Sequence, residues 1–123
     1  MKWHAALGLD AVLVVVFAAI GRASHGEGVF DGLWVTAWPF LAGLVVGWLL
    51  TFAWRAPVAL LRTGLGVWAA TLVGGMLLRA VSGQGVQVAF VIVAAVVLAL
   101  FLIGWRAVAR LIVSRRSEGR AAH

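Results

Sequence analysis

Four apolar runs, each long enough to cross a bilayer, leave this chain little choice of fold. A spanning helix needs roughly 20 consecutive, mostly apolar residues. Runs over 5–22, 33–54, 62–81 and 86–108 meet that length. The breaks between them are short and polar or turn-forming: "SHGEGVFDG", "RAPVALL" and "SGQG". Short connections make consecutive helices antiparallel neighbours. The expected architecture is therefore all-α: four transmembrane helices in an up-down-up-down bundle over 1–112, with a basic, flexible tail over 113–123. Composition agrees, because 64% of the residues are hydrophobic and only 11% charged, against roughly 25% charged in soluble domains. Such a chain cannot cover a soluble globule with polar surface, so its solvent is lipid.

Net charge is +6, but the basic residues flank the apolar runs and form no nucleic-acid-binding face, so nucleic acid is excluded as a partner. Orientation follows from their asymmetry. Lys2, Arg55, Arg62, Arg106, Arg110, Arg115, Arg116 and Arg120 share one side; Arg22 and Arg79 hold the other. Both termini are expected in the cytoplasm of a multi-pass cell-membrane protein. Trp3, Trp54 and Trp105 then mark the inner interface, and Trp34 and Trp38 the outer one. The arginines of the tail sit where anionic lipid attracts them at about 1 kcal/mol each, although a topology signal alone explains them as well. Cysteine is absent, which removes disulfides and thiolate chemistry from consideration.

At about 100° per residue, a spacing of 4, 3 and 4 keeps side chains on one helix face. In the third span this stripe is Gly64, Trp68, Thr71, Gly75 and Arg79; in the second it is Thr36, Phe40, Gly43 and Gly47; in the first it is Asp10, Val14, Phe17 and Gly21. Small residues let spanning helices approach closely, so Gly43, Gly47, Gly64 and Gly75 are read as packing positions. The fourth span shows no polar residue inside it. Pro39 is placed in the first turn of its helix.

Two groups of polar residues remain. Asp10 lies too deep for a short carboxylate to reach water, and an aspartate at a helix centre costs about 2.5–3.5 kcal/mol to insert. With Trp48, Trp68 and Thr71 at similar depth, it forms a candidate intramembrane polar or proton site; Arg62 is a further neighbour from below. Arg22, His25, Glu27 and Arg79 gather at the outer ends of the first and third spans. They suit an anion or a lipid head group held by two guanidiniums, or a closed salt-bridge network with Asp31. One histidine and two acids without metal-ligand spacing give no metal site, and no cofactor is implied.

The blocks around Asp10, "GRASHGEG", "TAWPFLAGLVVGW", "GVWAATLVGGMLLR" and "FLIGWR" resemble an uncharacterised family of four-helix integral membrane proteins, domain of unknown function 3054. The resemblance implies the four-span architecture and carries no activity, cofactor or catalytic residue. Function is therefore read from the residues. The leading expectation is a channel or carrier for a proton or small ion or anion, acting as a homo-oligomer. The alternative is a structural or accessory subunit bound to a membrane-protein partner. A membrane enzyme acting on lipid is the weakest reading, since the sequence shows no nucleophile–base pair, and the protein is read as a non-enzyme.

Overall fold

A computed structural model of the chain describes residues 2–24, 28 and 31–122, with 24 and 117–122 described by their backbone alone. Four helices in it are long and apolar enough to cross a membrane. The first is α1 (Trp3–Ser24) and the second α2 (Leu33–Thr51). The third, Leu60–Val81, opens with π-type winding over Leu60–Leu65 and continues as α3 (Gly66–Val81). The fourth joins α4 (Val88–Leu98) to α5 (Gly104–Ala122) through a second π segment, Ala99–Ile103. Among the described residues there is no strand.

Each helix stops for a local reason. Phe52 takes a left-handed conformation (φ 51°) after Thr51, and its N–H bonds back to the carbonyls of α2. A short 3-10 turn, Ala53–Arg55, then redirects the chain. The turn after α3 needs positive φ at Gly83 (80°) and Gly85 (81°), a region that glycine enters without penalty. Pro39 falls inside α2 and not in its first turn, so the Val35 carbonyl loses one helical donor there. The last helix runs on to Ala122, beyond the boundary at 112 expected for the tail. The 29 residues Val88–Arg116 span about 44 Å at 1.5 Å per residue. That exceeds the roughly 30 Å hydrocarbon core. Arg110, Arg115 and Arg116 are exposed on the overhang.

The stripes turn inward. Asp10, Val14 and Phe17 of α1, Phe40, Gly43 and Gly47 of α2, and Gly64, Thr71 and Gly75 of the third helix are all buried. α2 and α3 make the tightest pair. A Cβ at Gly43 would come within 2.9 Å of the Ala70 carbonyl oxygen, one at Gly47 within 2.9 Å of the Ala70 methyl, and one at Gly75 would overlap the Phe40 ring. Gly64 faces elsewhere, with the Arg106 side chain 3.5 Å from the position of its Cβ. Apolar residues that face away from the bundle stay exposed, Val88 and Leu100 among them, as expected where hydrocarbon is the solvent.

Candidate functional site

Polar side chains collect at two levels of the bundle. The lower level is at the end that carries both termini. There Asp10 is wholly buried, and so is Arg106 of α5. The Arg106 guanidinium meets the carboxylate side-on: Nη1 donates to Oδ1 at 3.0 Å and Nη2 to Oδ2 at 2.6 Å. Trp48 Nε1 donates to Oδ2 at 2.8 Å and Trp105 Nε1 to Oδ1 at 2.7 Å. Each carboxylate oxygen thus accepts two N–H groups. Two further N–H groups of Arg106 reach backbone, with Nε to the Pro57 carbonyl at 2.8 Å and Nη1 also to the Leu102 carbonyl at 2.7 Å. One ion pair therefore ties α1, α2, the connection before the third helix, and α5. A bidentate arginine–carboxylate pair is among the stronger polar contacts, and burial makes the loss of either partner costly.

This cluster differs from the sequence expectation in three ways. Trp48 is a donor to Asp10, as depth matching suggests. Trp68 is not, since its indole N–H donates to the Ala95 carbonyl at 2.9 Å. Thr71 stands apart too; it is fully buried, and among the described residues its hydroxyl has no hydrogen-bond partner. Arg62 donates to the Thr51 carbonyl at 3.2 Å. The true partners, Trp105 and Arg106, read in sequence as an interfacial anchor and a topology charge.

The reason lies in the fourth helix. Its buried residues are Ala94, Leu98, Leu102 and Arg106, spaced by four throughout. Twelve residues of regular α-helix would leave Arg106 about 120° away from Ala94. The π segment Ala99–Ile103 inserts about one extra residue and gives back about 100°. It thereby turns Arg106 onto Asp10. The other π segment, Leu60–Leu65, carries Gly64, whose Cβ position lies in van der Waals contact with the Arg106 stem at 3.5 Å.

The upper level is at the loop end. Here Arg22 and Arg79 line one cavity of about 230 Å³, together with Thr36, Gln84, Gln87 and Phe90. Arg22 Nε donates to the Gly28 carbonyl at 2.8 Å and Nη1 to the Thr36 hydroxyl at 3.2 Å. Arg79 Nη1 donates to Gln84 Oε1 at 3.1 Å, Nε to the Gly85 carbonyl at 3.3 Å, and its guanidinium carbon lies 4.6 Å from the centre of the Phe90 ring. Phe17 also lines the cavity, and behind it the Phe40 ring packs edge-on to Phe17 at 5.1 Å and 6.2 Å from the Phe90 ring. His25 and Glu27, the other two residues expected here, lie outside the described residues, as does His123. Asp31 is exposed. Among the described residues, no three histidine, aspartate or glutamate side chains gather as metal ligands would.

Neither the curated proteins nor the solved structures contain a match to this chain. A family model, described as a protein of unknown function (DUF3054), matches residues 7–109. That range takes in Asp10, Trp48, Trp105 and Arg106 as well as both arginines of the upper cavity, and the chain, with its four helices long and apolar enough to cross a membrane, belongs to the DUF3054 family of proteins of unknown function.

Proposed function

We propose that this protein binds an anionic ligand in the cavity between Arg22 and Arg79, and that it does so as a membrane carrier for that ligand. The observation that supports the reading most is that both guanidiniums line one cavity. They do so from helices that are not adjacent in sequence. Guanidinium N–H groups suit the oxygens of phosphate, sulfate or carboxylate, and Thr36, Gln84 and Gln87 add neutral polar atoms around them. The basic-residue asymmetry puts this end on the outer face of the cell membrane. Asp10 enters the proposal as a strut: both its oxygens are taken up by N–H donors, which favours a structural role over a proton relay. Enzymatic chemistry is not part of the proposal.

The test is anion binding by the purified full chain, with inorganic phosphate and sulfate as probes, followed by flux of the same anions in liposomes. Arg22→Gln and Arg79→Gln should each weaken binding about tenfold or more, and the double variant should lose less than the product of the two, since the sites are coupled. Binding that persists in both single variants removes the proposal. Binding without flux favours the accessory-subunit reading and removes the carrier.

A further inference from the structure

The upper cavity is not closed on all sides. A second space of about 340 Å³ lies beside it between α1 and α4, and Phe17, Gly21, Gln87 and Phe90 line both. The rest of the second space is apolar, formed by Ile20, Ala89, Val93 and Val97. Ile20 and Val93 are 50% and 55% exposed, so this groove opens sideways, toward hydrocarbon and not toward water. Phe90 divides the two: Arg79 stacks on its ring, and the same ring walls the groove. Gly21 sits where the two spaces meet, on the lining of both.

A small soluble anion needs only the polar half of this arrangement. A polar cavity with two guanidiniums at the level of a span end, continuous with an apolar slot into the bilayer, fits a molecule that is anionic at one end and hydrocarbon at the other. We infer that the ligand is a lipid with a phosphate-type head group, its head between Arg22 and Arg79 and one chain in the groove between α1 and α4. This rests on the anion-binding reading above and names its ligand class. The chemistry is consistent at both ends. Arginines at the membrane surface attract anionic head groups, while an acyl chain already dissolved in lipid gains no further escape from water by entering the groove. The groove therefore sets which way the ligand enters and lies, and the arginines set which head group stays.

Retention of lipid through detergent washing, read by native mass spectrometry of the full chain, tests this. The probes are dioleoyl phosphatidic acid, dioleoylglycerol (the same chains without phosphate) and glycerol 3-phosphate (the phosphate without chains). Wild type should retain phosphatidic acid at least tenfold over dioleoylglycerol, and glycerol 3-phosphate should displace it only at a hundredfold or greater excess. Ala89→Trp, which touches the groove alone, and Gly21→Leu, which adds bulk where the two spaces meet, should each cut retention at least tenfold. Arg79→Gln should cut it as far by removing the head-group contact. Equal retention of dioleoylglycerol marks ordinary surrounding lipid and overturns the inference. So does displacement by equimolar glycerol 3-phosphate, or full retention in both groove variants; either leaves a free-anion site and the reading beneath it standing. Full retention in Arg79→Gln overturns both the inference and that reading.

Discussion

The two ends of the bundle each place arginine near the hydrocarbon, and they accommodate it in opposite ways. At the termini end Arg106 is wholly buried and meets a carboxylate that two indoles also hold. The contacts are short, and the residues come from helices far apart in sequence. At the loop end Arg22 donates to the Gly28 carbonyl and to the Thr36 hydroxyl of α2, Arg79 donates to Gln84 and the Gly85 carbonyl, and both line one cavity. Long-range, space-filling polar contacts resist change and suit a strut. Local contacts around a cavity can be exchanged for those of a ligand at little cost to the fold. The same residue type thus serves stability at one level and recognition at the other, and depth and partners decide which.

That contrast can be broken most directly by making one substitution at both ends. Arg106→Gln should cost about 3–5 kcal/mol, because it strands a buried carboxylate, whereas Arg79→Gln should cost under about 1 kcal/mol; unfolding in mixed micelles measures both. Similar losses would mean that the two arginines play the same role. Next in size come the indoles. Trp105→Phe and Trp48→Phe each remove one N–H from a charged acceptor and should cost about 1.5–3 kcal/mol, with no loss of anion binding at the far end. Gly75→Ala pushes a methyl into the Phe40 ring and should cost about 1–3 kcal/mol through overpacking. Since Phe40 packs against Phe17 and Phe90, which line the upper cavity, that variant should also weaken anion binding, which separates it from the indole variants. The smallest effect is expected at Thr71, whose hydroxyl is buried without a partner. Thr71→Val should stabilise by up to about 1 kcal/mol, and a clear loss would reveal a function for that hydroxyl.

Much of the fold was legible because it depends on run length and face periodicity. The four helices follow from the apolar runs, and the stripe residues Phe17, Gly43, Gly47 and Gly75 point inward as their 4-3-4 spacing requires. The depth of Asp10 and the match to Trp48 were also readable. Arg106 was not, because its placement depends on a change of helical winding at Ala99–Ile103 that an apolar sequence such as "ALFLI" does not announce. A count at 100° per residue puts Arg106 on the wrong face. The spacing by four of Ala94, Leu98, Leu102 and Arg106 is the trace that was available, and it becomes meaningful only once a buried acid needs a cation. The groove beside Phe90 was equally hidden, because it arises from the separation of α1 and α4 and not from any motif. An asparagine at position 10 seems a mild change by volume alone. The geometry makes it severe, since its amide N–H₂ would face donors from both Arg106 and an indole.

The central claim is that Asp10 and Arg106 act as one unit that holds the bundle together. A double-mutant cycle on unfolding free energy, with Asp10→Leu, Arg106→Met and the pair combined, tests it most directly. Each single change should cost about 3 kcal/mol or more by leaving a buried charge alone, and the double variant, which has none to leave, should recover most of that loss. Losses that simply add, or a single variant as stable as wild type, would contradict the account.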